Sequence, residues 1–503
     1  MNLKSITLLL IMATPLFFAS CNQSTEEKEV QDLKVSYINT DIDPGNNFYR
    51  FANAGWMEAH PLPDDESRFG SFDLLAKETK EKVRVLVEES AKAEAEKGSI
   101  EQKIGDFYST GMDTEKIQAQ GLEPIQEKLE QIRNIESRQD LQQQINRFHR
   151  YSIGSTFSMG GGADAKNSDM VIAQLSQGGL GMSDRDYYVN QGSRTKEIRN
   201  AYQDYVKTLF TLAGSSEEEA AEKAQTIMDV ETQLAKASMT RLERRDPHKT
   251  YHKMDVDGLQ QICPSMDWNT YFTSLGIDVP KDINVRQPEF FKQVNQMLAD
   301  MPMDQWKTYL EWNLLNSSAS YLSDDFVNAS FEFYGKTMQG QQEMKPRWRR
   351  VLDVTNYALG DAIGKKFVEK HFPPQAKQRM VTLVDNLKKA FAQRIQNLEW
   401  MGDETKEKAL EKLEVMNVKI GYPDEWKDFS DLSIQADSYL DNVMESRRFN
   451  KEYQLNKIGK PVDPDEWFFP PQTVNAYYAP SMNEICFPAG ILQPPFFYLE
   501  GDD

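Results

Sequence analysis

Between Gly98 and Met416 the chain repeatedly pairs a helix-starting signal with apolar residues three and four apart, a pattern that only amphipathic helices packed on one another can satisfy. Gly98 followed by Ser99-Ile100-Glu101-Gln102 combines a helix stop with a capping box, and the helix it opens carries Ile104, Phe107 and Tyr108 on one side. Gly214 and Ser216-Glu217-Glu218-Glu219 repeat the signal, with acidic residues in the first turn, where the helix dipole favours them, and Ile227, Val230 and Leu234 behind. Leu387, Phe391, Ile395 and Leu398 form a further stripe, and Gly402-Asp403 separates it from a helix with Ala409, Leu413 and Met416. Strand signals are few: Met170-Val171-Ile172-Ala173 and Ile485-Cys486-Phe487 are the better ones, bounded by Gly, Asn and Pro. The fold class expected is mainly α. A large helical lobe is followed, after a proline-rich connector from Pro461 through Pro471, by a few strands at the C-terminal end. No internal repeat supports a solenoid.

The 503 residues suffice for two to four domain-sized units. A net charge of −20 and a pI near 4.9 argue against a nucleic-acid partner, which needs clustered cations, and fit the solubility of an exported protein. Lys4, an apolar run from Ile6 to Phe18, and then Phe18-Ala19-Ser20-Cys21 have the layout of a secretory signal, and the run is too short to span a bilayer. Cys21 directly after Ala-Ser resembles a bacterial lipobox. Residues 1–21 therefore read as a lipoprotein signal peptide with lipidated Cys21, ordinary cleavage being the alternative. Residues 22–33 read as a polar tether. The place expected is the cell envelope, at the outer membrane through a lipid anchor. Cys263 and Cys486 make no disulfide framework and read as two buried thiols, their pairing left open.

Several constellations carry little chemistry. His248 and His252 have the spacing of a zinc pair on a helix, but Asp246-Pro247 precedes them and no glutamate follows His248. Gly160-Gly161-Gly162 lacks the Lys-Ser or Lys-Thr of a phosphate loop and reads as a glycine turn. Arg347, Arg349 and Arg350 around Trp348 read as a partly buried ion-pair cluster rather than a basic patch.

One colinear series of motifs is specific. Asp43-Pro44-Gly45-Asn46-Asn47-Phe48-Tyr49 and Asn53-Ala54-Gly55-Trp56 are followed by Gly105-Asp106-Phe107-Tyr108, the stretch from Gly178 to Tyr188, Glu231-Thr232-Gln233-Leu234-Ala235 and Arg244-Arg245-Asp246-Pro247. Arg347-Trp348-Arg349-Arg350 and Ile420-Gly421-Tyr422-Pro423 come next, and the series closes on Val474-Asn475-Ala476-Tyr477-Tyr478 and Phe487-Pro488-Ala489-Gly490-Ile491-Leu492-Gln493-Pro494-Pro495-Phe496-Phe497. In this order they resemble the neprilysin and endothelin-converting-enzyme family of zinc metallopeptidases, where the closing motifs precede a His-Glu-x-x-His zinc helix. None of His60, His149, His248, His252 and His371 begins such a motif. Gly45 and Gly111 stand where animal members have cysteines, so their disulfides are not implied.

The resemblance implies that Asn475 and Ala476 hold a peptide substrate by main-chain hydrogen bonds along a strand edge, a role an asparagine amide suits because it both donates and accepts. The plain alternative is that Asn475 terminates a strand. It further implies that Ile491, Phe496 and Phe72 line an apolar pocket and that Arg68 meets a substrate carboxylate; a second family arginine would fall at Ala76. Residues 34–460 would form the mainly helical N-terminal region, and 461–503 the connector and the start of a catalytic lobe of thermolysin-like α+β type. The zinc ligands and the general base, and hence every catalytic residue, are expected beyond Asp503. On this reading the complete protein is a zinc metalloendopeptidase that hydrolyses internal bonds of small peptides, and the present chain is inactive. Residues 473–497 should lack strand partners and exchange their amide hydrogens fast. The rival is a non-catalytic helical lipoprotein that captures a nutrient polymer, with exposed aromatic platforms.

Overall fold

The computed structural model describes residues 37–501, so the expectations placed on the signal peptide, on Cys21 and on the tether lie outside the described residues. Two units divide the chain. The smaller holds the described residues up to His60 with those from Glu500 onward. Its helix Pro44–Ala59 is capped by Asp43, whose side chain accepts the Gly45 N–H, and the His60 ring stacks on Trp56 with centroids 4.6 Å apart. The larger unit runs from Pro61 to Leu499.

The larger unit is mainly helical because the apolar stripes find one another. In helix Glu217–Ala237 both halves of the Ser216/Glu219 capping box form, and Ile227, Val230 and Leu234 are fully buried, each worth about 1.5–3 kcal/mol relative to exposure. Helix Ile100–Met112 starts at Ser99, whose hydroxyl accepts the Gln102 N–H. The Gln102 side chain caps the N–H of Gly98 rather than that of Ser99, so the box is shifted by one residue. One apolar core gathers residues from Ile125 to Phe333 with Leu440, Met444 and Leu455, around the buried Trp268, Trp306 and Trp312. The other joins helices Ser71–Lys92, Ile100–Met112 and Arg347–His371 to Ile420, Tyr439 and the segment Ala489–Phe497.

The strand expected at Met170-Val171-Ile172-Ala173 is found within a longer strand, and two expectations about local structure are corrected. The helical stretch contains a four-stranded sheet: β1 (Phe157–Asp164), β2 (Asn167–Gln177), β3 (Lys253–Met254) and β4 (Ile283–Val285), in the order β1-β2-β4-β3. Only part of β2 had the apolar run that signals a strand. Gly160-Gly161-Gly162 is no turn; it lies inside β1, Gly161 opposite Ala173. Glycine suits that place because a Cβ at Gly161 would sit 3.2 Å from Ile458 Cγ1 and 3.3 Å from the Gln454 carbonyl, where helix Tyr439–Leu455 ends against the strand. The stripe at Leu387, Phe391, Ile395 and Leu398 is not a core face throughout: Ile395 is buried, but Leu387 and Phe391 are exposed on helix Pro374–Gln396.

The expectation for residues 473–497 is corrected as well. β5 (Asn417–Gly421), β6 (Tyr477–Ala479) and β7 (Glu484–Pro488) form a sheet in the order β5-β7-β6, with β7 paired on both sides. Its parallel partner β5 lies far upstream in sequence, Val418 facing Ile485 and Ile420 facing Phe487, a pairing no local pattern announces. Cys263 and Cys486 are both buried and unpaired, and burial pushes each thiol up to about 12.

Candidate functional site

The sheet is tied together by a buried charge network that sequence reasoning missed. Glu484 in β7 is fully buried, and its carboxylate takes the Lys419 ammonium of β5 at 2.7 Å, the Asn417 amide at 3.0 Å and the Tyr477 hydroxyl of β6 at 2.7 Å. Lys419 also donates to the Glu466 carbonyl at 2.5 Å, which fixes the connector to the same point. Burial, and then the hydrogen bond to Glu484, push the Tyr477 hydroxyl well above its ordinary range. The available signal was positional: alternation along β7 puts Glu484 and Cys486 on one face, so a carboxylate there had to find a cation.

Asn475 and Ala476 immediately precede β6, the edge strand, whose second side carries no partner among the described residues. Asn475 is exposed; its Oδ1 accepts the Ala476 N–H at 2.8 Å and its amide nitrogen has no partner among the described residues. The approach of this segment to the next motif is enforced at Gly490. Its N–H donates to the Pro471 carbonyl at 2.7 Å, and a Cβ there would fall 2.5 Å from the Gln472 carbonyl oxygen and 2.6 Å from that of Thr473. Ile491, the next residue, is buried in the second core with Leu492 and Phe497.

Phe72 and Phe496, more than four hundred residues apart, come together with ring centroids 4.3 Å apart, and both remain about half exposed. Helix Ser71–Lys92 delivers Phe72, and Gln493 locks that helix to the terminal segment by accepting from Lys82 at 2.5 Å and reaching Thr79 at 3.5 Å. Arg68 lies just before this helix with an exposed side chain, 3.7 Å from Asp73, and Ala76 sits half-buried on it. The structure thus joins Phe72 to Phe496 and the Asn475 segment to Gly490. Between Arg68 and Asn475 it shows no contact.

The histidines do not fit a zinc site. Both ring nitrogens of His149 are engaged, by the Tyr271 hydroxyl at 2.8 Å and the Ser155 carbonyl at 2.9 Å, and burial lowers its pKa to about 4. His60 bonds the Trp56 carbonyl, His371 packs on Phe367, and His248 and His252 lie on a turn and the segment after it rather than on a helix. Among the described residues no group of three or more His, Cys, Asp or Glu is arranged to hold a metal. The arginine cluster is an ion-pair cluster: Arg349 reaches Asp65 at 2.8 Å and Glu66 at 2.6 Å, and Arg84 lies 4.3 Å over Trp348.

The N-terminal profile of peptidase family M13 matches residues 44–423, and a second M13 profile matches residues 475–503. Human endothelin-converting enzyme 1 is 32% identical over 483 residues, which cover 92% of this chain and 62% of the relative. An endothelin-converting enzyme homolog of Locusta migratoria is 30% identical, covering 92% and 67%. Among solved structures, the zinc metalloprotease Zmp1 of Mycobacterium tuberculosis, in complex with an inhibitor, superposes with a TM-score of 0.89 at 34% identity, over 93% of this chain and 71% of that one. PepO from Lactobacillus rhamnosis shares the fold at a TM-score of 0.79 and 20% identity. The chain thus spans about 62% of the length of human endothelin-converting enzyme 1.

Proposed function

Because the chain belongs to peptidase family M13, the neprilysin and endothelin-converting-enzyme-like zinc metallopeptidases, we propose that it forms the peptide-holding part of a metalloendopeptidase that hydrolyses internal bonds of small peptides. The observation that carries this reading is the edge of β6, unpaired among the described residues, with Asn475 exposed at its entrance and the Phe72–Phe496 pair on the same unit. An extended peptide adds to such an edge through main-chain hydrogen bonds. The Asn475 amide would release the Ala476 N–H to accept from the peptide and donate to it with Nδ2. The two phenyl rings would take an apolar side chain and the Arg68 guanidinium a carboxylate. Zinc, where a family member binds it, supplies the activated water; the residues named above would bind and align the peptide.

Peptide binding without hydrolysis is therefore the expected behaviour of the chain by itself. Titration of a quenched apolar peptide should saturate. Asn475→Ala should weaken the affinity roughly tenfold to a hundredfold, the equivalent of losing one or two hydrogen bonds at about 1–3 kcal/mol in all. Chelator-sensitive turnover by the unmodified chain, or full affinity in the variant, would sink the proposal. A polymer-capturing role would give no reason for a peptidase profile over residues 44–423. Export and lipidation at Cys21 belong to the same proposal and rest on the layout from Lys4 to Cys21. Metabolic labelling with a fatty acid should mark the protein and fail to mark Cys21→Ser.

A further inference from the structure

A cavity of about 990 Å³ in the larger unit has no part in the peptide-holding edge described above. Its walls are the Asp353–Asp361 stretch of helix Arg347–His371, the loop after Pro423, helix Tyr439–Leu455 and the connector from Asp463 to Thr473. Thr473 stands two residues before Asn475, so the cavity and the β6 edge share one chain segment.

Two features of the lining define what it can hold. Aromatic rings line it: Tyr357 and Phe468 are 74% and 52% exposed, unusual for large rings, Phe468 packing on Tyr477 with centroids 5.1 Å apart, and Trp426 and Trp467 are half-buried beside them. Three cations line it against seven carboxylates, of which Asp353 is paired with Lys80 and Glu466 with Lys457, and the three hydrogen-bond to neutral groups. Lys427 donates to Asn450 Oδ1 at 2.6 Å and lies 4.2 Å over the Tyr453 ring, Lys451 donates to the Met159 carbonyl, and Arg447 meets the Tyr321 hydroxyl at 3.1 Å. The acids are in surplus, for Asp361, Glu425, Asp463 and Asp465 form no ion pair among the described residues. Burial holds the Asp361 carboxyl above its ordinary range, and the nearby Lys427 and Lys457 only partly offset this. Carboxylates in excess of the lining cations, beside partly exposed aromatic rings, attract a cation by charge and by the ring quadrupole and repel anions.

We propose that this cavity binds a cationic segment, an arginine or lysine side chain or an N-terminal ammonium, of the same peptide that the β6 edge holds, so that the preferred substrates are basic peptides. The inference rests on the strand-edge reading of Asn475. The test uses the full chain and two labelled decapeptides identical except for arginine against citrulline, titrated by fluorescence anisotropy at low and high salt. The arginine peptide should bind about threefold to tenfold tighter, and the margin should shrink with salt. Asp361→Asn should reduce the margin, and so should Asp465→Asn on the exposed connector, where folding is not at stake. Asn475→Ala should weaken both peptides alike and leave the margin intact. Equal affinities for the two peptides, or a margin that survives both aspartate variants, overturns the cavity assignment. An Asn475→Ala variant that binds both peptides like the parent, with the margin intact, overturns the strand-edge reading instead, and no binding by either peptide overturns both.

Discussion

Glu484→Ala should open the three-stranded sheet. The deletion leaves the Lys419 ammonium, 6% exposed, with the Glu466 carbonyl as its remaining acceptor, leaves the Asn417 amide with the Pro464 carbonyl alone, and takes the carboxylate acceptor from the Tyr477 hydroxyl. Removing one partner of a buried pair typically costs about 3–5 kcal/mol, because an uncompensated charge stays behind. Two cores and a second unit make a single global unfolding transition unsafe to assume, so the assay should be local. Hydrogen exchange at the amides of β5 and β7 should rise on the order of a hundredfold to a few thousandfold, each factor of ten reporting about 1.4 kcal/mol. Exchange in helix Glu217–Ala237 should not change, since it belongs to the other core. Peptide affinity should fall with the sheet, because β7 holds β6 in register through Cys486 and Tyr477. The double variant Lys419→Met with Glu484→Leu removes both charges and should recover most of the protection. Exchange within a few-fold of the parent in Glu484→Ala, or a double variant as damaged as the single one, would show that the pair is not what secures the sheet.

Acid–base behaviour should reveal two opposed groups in the first core. Burial raises Glu231, bonded to Tyr188, Tyr202 and Trp312, to about 7, so its stability contribution is complete below pH 4.5 and is lost as pH rises toward 7; burial lowers His149 to about 4, so its contribution is complete above pH 6.5 and is lost as pH falls toward 4. Each shift corresponds to about 3 kcal/mol. Melting temperature should therefore change little between pH 4.5 and 6.5 in the parent, fall toward acid in Glu231→Gln and fall toward neutral pH in His149→Gln; parallel slopes in the two variants would contradict the assignment. Gly490→Ala should cost about 1–3 kcal/mol, because its Cβ meets two backbone oxygens that cannot rotate away, and should weaken peptide binding together with stability in a denaturation series. Phe72→Ala, at an exposed ring pair, should cost under about 1 kcal/mol of stability yet lower affinity for peptides with a large apolar side chain, as titration of a Phe/Ala peptide pair would show.

What the sequence determined by itself is what short-range physics encodes. The caps at Ser99 and Ser216 and the apolar spacing of Ile227, Val230 and Leu234 set helices that need no distant partner to be recognised, whereas Asn475, Ile491 and Phe496 were singled out only by the resemblance of the terminal motif. Burial was less legible. The Leu387 and Phe391 stripe has the period of a core face and lies exposed, since periodicity says which residues share a side and not whether anything covers it. Only the tertiary structure decided the pairings between residues far apart in the chain: β5 beside β7, Lys419 on Glu484, Phe72 on Phe496, and the 353–361 stretch facing the connector across the cavity. Such contacts gain their energy only after hundreds of intervening residues are ordered. They therefore leave no local trace beyond a misplaced charge such as Glu484 or a glycine such as Gly490, whose meaning appears when the neighbouring backbone is in place.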